Sequence, residues 1–265
     1  MYWGRYAGLG YDRPSRQNRN AALAGVFQEL MAKTRQIPRI SALIATFGAA
    51  LVVAVMLAAS GAEAAKLGQT NRTPPPACPK SPCQAVGRTT AIQLVADGKR
   101  GVFKARQPGK LVAWAIDLSA PNKEQRAFFS DFFTSQVFGA KPTARIAVLR
   151  RKGKGRDYKL TQQGPVVDLT SALGSYQVFT LSKPLRMRKG EFLALTIPTW
   201  APAFAVDLNR TSNIWRASRV NGKCQNEDDI KAGKAHQKVG STREYGCDYS
   251  TARVLYWGFY EPKRK

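Results

Sequence analysis

The sequence predicts an all-β protein: an antiparallel β-sandwich, jelly-roll-like, preceded by an N-terminal signal or transmembrane helix. Three observations predict it. Residues 40–62 form the only long apolar run, and they carry no charge. Beyond residue 88, short runs rich in Val, Ile and aromatics alternate with Gly, Pro and Asp turns, the signature of many short antiparallel strands. No 20–50-residue repeat is visible, which argues against a propeller or solenoid.

The chain opens with residues 1–30, MYWGRYAGLGYDRPSRQNRNAALAGVFQEL, read as an over-called or disordered leader because Met31 makes a better start. Residues 31–65 then read as a signal peptide. Lys33, Arg35 and Arg39 precede the apolar run, and the small residues of SGAEAA follow it. The Ala62/Ala64 pair places cleavage after Ala64 or Ala65. The run is longer than the roughly 7–15 residues of an ordinary signal core and approaches the ~20 that span a bilayer. An uncleaved anchor with its basic flank inside is therefore the alternative. Either way the rest of the chain is expected to be exported, extracellular or at the cell surface. Residues 66–88 are rich in Pro and polar residues and read as a linker stiffened by Pro74, Pro75 and Pro76.

Residues 89–262 carry the expected sandwich. TAIQLVA, GVFKA, LVAWAIDL, ARIAVLR, DYKLT, PVVDL, YQVFTL, EFLALTI, AFAVDL, IWRAS and ARVLYWGFY read as strands. The last is expected beside an early strand, bringing the ends of the domain together. KEQRAFFSDFFTSQVFG breaks the rhythm and reads as one or two helical turns. Its Phe128, Phe129, Phe132 and Phe133 stripe is expected in the core, with an exposed wedge as the alternative.

The formal net charge of the chain is +25. Residues 66–265 hold 35 of the 42 Lys and Arg but 14 of the 17 Asp and Glu. A domain this basic attracts polyanions, so an anionic envelope polymer or a glycan is the expected partner. A membrane is expected to be touched only through an uncleaved N-terminal helix, and export makes nucleic acid a poor match. The four cysteines, Cys78, Cys83, Cys224 and Cys247, all follow the apolar run. Exported cysteines in even number imply disulfides. Three connectivities are open, and proximity favours Cys78–Cys83 and Cys224–Cys247. A four-cysteine zinc site fits the spacing poorly.

Four stretches of the domain stand out: GKLVAWAIDLSAP, ARIAVLR, PLRMRKGEFLALTIPTWAPAF and IWRASR. Over roughly 85–220 and the final strand, they resemble a group of uncharacterised exported proteins of high-GC Gram-positive bacteria. The resemblance implies an exported β-sandwich and carries no activity or functional residue across.

Four features suggest chemistry. Asp117, Asp168 and Asp207 each close an apolar run and precede Leu plus a small polar residue. Converging, three could bind calcium and two could serve as an acid–base pair in glycoside hydrolysis. The plainer reading is that each starts a turn. Trp200, between Pro198 and Pro202, and Trp215 are candidates for stacking on sugar rings, or for the core. Arg150, Arg151, Lys152, Lys154 and Arg156 stand at a glycine-containing hairpin, with Arg186, Arg188 and Lys189 as additions to the same face. The loop between Cys224 and Cys247 joins NEDD to lysines and to His236, the only histidine in the chain. No G-x-S-x-G, HExxH, phosphate loop or reactive CxxC occurs. The expectation is a non-catalytic exported domain that binds the envelope or an extracellular anionic polymer or glycan. A carbohydrate-active enzyme using the strand-end aspartates and a ligand-free structural envelope protein are the alternatives.

Overall fold

A computed structural model describes residues 65–263. The leader and the signal or anchor segment, with Ala64, lie outside the described residues. Among the described residues no helix is long and apolar enough to cross a membrane.

The fold is mostly antiparallel β, as expected. Its longer strands are β2 (Val86–Ala96), β4 (Gly109–Asp117), β5 (Thr143–Lys152), β6 (Asp157–Gln163), β8 (Tyr176–Met187), β9 (Phe192–Ala201) and β15 (Tyr256–Pro262). Shorter ones are β1 (Ala65–Leu67), β3 (Lys99–Arg100), β7 (Val167–Asp168), β10 (Phe204–Ala205), β11 (Ile214–Ala217), β12 (Thr242–Glu244), β13 (Cys247–Ser250) and β14 (Arg253–Val254). A small sheet has the order β1-β15-β4-β8, and a nine-stranded sheet runs β12-β6-β5-β9-β2-β11-β13, with β3 on β2 and β7 on β5. β10 and β14 form a separate ribbon. The last strand lies between β1 and β4, joining the ends of the domain.

The main core lies between the two sheets and takes Leu111, Trp114, Ile116 and Tyr256 from one and Ile146, Val148, Leu193 and Leu195 from the other. Gly258 packs against both sheets. A Cβ there would lie 2.6 and 2.7 Å from Leu111 and Leu193. The large sheet also curls, because only Tyr245 and Gly246 separate its two edge strands. Its other face therefore encloses a second core of Ile92, Leu149, Tyr158, Leu160, Ala194 and Tyr245. Burial on both faces explains why β5 and β9 read as nearly unbroken apolar runs rather than alternating ones. On edge strand β8 exposed residues dominate, and Pro184 falls where its register with β4 shifts, so its missing N–H breaks no ladder bond.

The expected helical turns form a full helix, α1 (Lys123–Phe132), closed by a capping box between Asn122 and Gln125. Phe129, Phe132 and Phe133 join Trp200 and Ile230 in a small core at this end, while Phe128 is half exposed. The expected linker carries more structure than a spacer. β1 pairs with β15, Ala77 N–H donates to Phe204 O at 2.9 Å, and Cys78 and Ala85 are buried. Buried Arg253 clamps the same segment by donating to Gly68 O, Thr70 Oγ1 and Arg72 O at 3.2, 2.9 and 3.0 Å. A polar composition gave no sign that these backbone groups find partners on the domain.

Candidate functional site

Strand register decides which charges meet. Leu149 of β5 lies opposite Phe192 of β9, and Gly109 of β4 lies opposite Met187 of β8 and Pro262 of β15. The β5–β6 turn, the β8–β9 turn, the loop before β4 and the end of β15 thus share one end of the fold. The hairpin brings Arg151, Lys152 and Lys154, all exposed, and the β8–β9 turn brings exposed Arg186, Arg188 and Lys189. Lys104 and Arg106 come from the adjoining loop, which is tied to the β8–β9 turn through Gly190 N–H on Ala105 O at 2.8 Å.

Carboxylates at this end do little to offset that charge. Glu191 is buried and saturated. Its Oε1 accepts from Arg150 Nε and Nη2 at 3.0 and 2.7 Å, and its Oε2 accepts from the Arg188 backbone N–H at 2.7 Å. One carboxylate therefore staples the hairpin to the β8–β9 turn and neutralises a single arginine. Asp157, Glu244, Asp248 and Glu261 are the other acids nearby, on β6, β12, β13 and β15. Arg151 donates to the carbonyls of Gly155 and Lys154, so it fixes the turn. Arg156 donates to Gly246 O at 2.6 Å and pairs with Asp248 at 3.3 Å. Of the five hairpin cations expected to bind, Lys152 and Lys154 are the ones without a structural duty among these contacts. The opposite end carries α1 and α2 (Glu227–Ala232), whose first turn is Glu227, Asp228 and Asp229.

The tryptophans do not join this site. Trp200 is 1 % exposed, its Nε1–H donates to Ala140 O at 2.8 Å, and it packs on Phe129. Trp215 is 4 % exposed and stacked on Tyr249 at 4.5 Å between centroids. Indoles enclosed this way offer no face to a sugar, so sugar stacking is corrected to core packing. The flanking prolines do not put Trp200 on a loop, because Pro198 sits opposite a register shift in β2 and β9 continues through it to Ala201.

The aspartates serve local structure. Asp168 accepts from Thr170 N–H at 2.8 Å and pairs with Lys141 at 3.4 Å, and these contacts hold its carboxyl below the usual range. Asp117 closes β4 opposite Tyr176, and burial pushes its carboxyl up. Asp207 has a left-handed backbone, φ 57°, as turn-forming Asp tolerates. Among the described residues no three His, Cys, Asp or Glu side chains gather as a metal-ligand set, so the three-aspartate calcium cluster does not form. NEDD is helix chemistry: Asn226 caps α2, accepting from Asp228 N–H, and the acids occupy the turn that the helix dipole favours.

The cysteines pair as proximity suggests, Cys78–Cys83 and Cys224–Cys247, which removes the zinc alternative and fits an oxidising compartment. His236 was expected in an open loop and is instead buried inside the curl of the large sheet. Its ring nitrogens lie 3.2 Å from Tyr245 Oη and 2.9 Å from Ser241 Oγ. Burial, then the Arg243 charge, lowers its pKa to about 4. No sequence signal marked it as a core residue.

No family model, curated protein or solved structure matches the chain.

Proposed function

We propose that the protein is a non-catalytic exported β-sandwich that binds an anionic polymer of the cell envelope through its basic end. The observation that carries this reading is the stapling of the hairpin to the β8–β9 turn by Glu191. It gathers Lys152, Lys154, Arg186 and Lys189 while spending the one buried carboxylate there. Clustered exposed cations raise the local concentration of a polyanion and bind it with strong salt dependence. The sandwich and jelly-roll assignment is supported by the way the chain changes sheets, at β2 to β4, β4 to β5, β6 to β8, β8 to β9 and β13 to β15. Export is supported by the apolar run before the domain and by the two disulfides. Kinship with exported proteins of high-GC Gram-positive bacteria remains part of this proposal. Glycan stacking by tryptophan does not.

The test is a pulldown of the purified, disulfide-intact protein on isolated cell walls across a salt titration. Binding should fall steeply with salt and drop further for Lys152→Glu/Lys154→Glu/Lys189→Glu. Binding equal at low and high salt, or unchanged in that variant, overturns the reading.

A further inference from the structure

A cavity of about 470 Å³ lies where residues 72–74, the β2–β3 turn and the loop before β11 meet, with Arg253 of β14 in its wall. Small-molecule sites are commonly of this size, roughly 300–1,000 Å³. Arg253 is 1 % exposed, yet among the described residues no carboxylate pairs with it. Its Nη1 and Nη2 are engaged by Gly68 O, Thr70 Oγ1 and Arg72 O, all uncharged, and its Nε–H finds no acceptor among the described residues. Buried charges are ordinarily paired and buried N–H groups ordinarily bonded. Arg253 therefore brings to the cavity wall a charge without a counterion and a donor without an acceptor.

The rest of the wall is of mixed kind. Asn213 is 7 % exposed, and its Oδ1 accepts the Asp97 N–H at 3.3 Å, which makes its amide NH2 the remaining donor. Asp97 Oδ2 accepts the Arg72 N–H at 3.3 Å. Pro74 and Leu208 add apolar surface. Two arginines, Arg72 and Arg253, against the one aspartate leave the wall a single positive charge in excess. That excess is balanced by a monoanion. Arg253 Nε–H and the Asn213 amide are two donors, as the two oxygens of a carboxylate require. Asp97 only accepts, so a ligand beside it must also donate a hydrogen bond. A hydroxyl donates and leaves the ligand a monoanion, whereas an ammonium would cancel its charge. A phosphate monoester would set a second negative charge against Asp97. Pro74 and Leu208 suit the C–H face of a ring.

We propose that this cavity binds a hexuronate, a six-carbon sugar acid, whose carboxylate accepts from Arg253 and Asn213 and whose ring hydroxyl donates to Asp97. The site uses none of the cations of the hairpin or the β8–β9 turn, so it and the polymer reading can fail separately.

The experiment is a saturation-transfer NMR titration of the full, disulfide-intact chain, held in a sugar-free polyoxyethylene detergent, with D-galacturonate, D-galactose and D-galactose 6-phosphate. Galacturonate should bind about tenfold tighter than galactose, the worth of one charge-assisted hydrogen bond. Arg253→Lys keeps the charge but loses Nε, and should remove about that advantage. Asp97→Asn should raise the affinity for the 6-phosphate relative to galacturonate by about tenfold, because the like charge in the wall is gone. A merely structural role for Asp97 would not move that ratio. If circular dichroism shows that Arg253→Lys does not fold, Asp97→Asn carries the test, since Asn tolerates the left-handed backbone at that position, φ 52°. Lys152→Glu/Lys154→Glu/Lys189→Glu should leave galacturonate binding unchanged while wall binding falls. Galacturonate binding no tighter than galactose overturns the proposal. So does a 6-phosphate that binds the unaltered chain as tightly as galacturonate, or a folded Asp97→Asn chain whose selectivity is unchanged.

Discussion

At the scale of single residues, burial decides roles that residue type leaves open. His236 is held neutral because the fold removes it from water beside Arg243. With a folded pKa near 4 against an ordinary 6.5, the unfolded chain binds the extra proton more readily. Stability should therefore be constant above about pH 6.5 and fall as pH drops toward 4, by at most about 1.4 kcal/mol per pH unit from this group. Thermal melts from pH 7 to 4 should show that slope, and His236→Gln should flatten it. Glu191 makes the opposite case, a buried charge kept because three donors satisfy it. Glu191→Ala leaves Arg150 unpaired and the Arg188 N–H open, and should cost about 2–3 kcal/mol in chemical denaturation. It should also weaken wall binding, although it removes a negative charge, because the two basic turns are no longer held together.

At the scale of elements, short local devices fix pieces that strand propensity does not. Cys224–Cys247 bridges a sequence separation of 23 and ties the enclosed loop to β13, next to the pair Arg216–Asp248 at 2.6 Å that links β11 to β13. Cys224→Ser/Cys247→Ser should lower stability by about 3 kcal/mol on the chain-entropy estimate, read as a lower denaturant midpoint. α1 depends on its capping box. Asn122→Ala should cost about 1 kcal/mol, with the loss read by denaturation and by faster amide exchange in residues 123–126. The capping box was present in the sequence as Asn122 and Gln125 and marks the helix start, so the full length of α1 was more legible than one or two turns. β9 was the harder element. Pro198 and Pro202 suggested a broken strand, and nothing local announces that a register shift in β2 accommodates Pro198.

At the scale of the whole molecule, topology turns an excess of cations into an oriented surface. The basic turns collect at one end, and the helices with the acidic 227–229 run occupy the other. The logarithm of the wall-binding constant should fall linearly with the logarithm of salt, and Lys152→Glu/Lys154→Glu/Lys189→Glu should make that slope shallower. A protein bound by shape alone would show neither effect.

The sequence by itself determined the all-β class, the antiparallel strands and the net charge, because each follows from local pattern or a count; for the disulfides it left three connectivities open, and proximity only favoured the pairing that the structure shows. Tertiary structure decided where the tryptophans, His236, the aspartates and the 66–88 segment lie. A tryptophan beside prolines suits a loop as well as a core, and a lone histidine in a charged stretch gives no sign of depth. Those outcomes depend on sheet curl and strand register, which arise from contacts between residues far apart in the chain. The same long-range register placed the hairpin beside the β8–β9 turn, making one charged end from two basic stretches about forty residues apart.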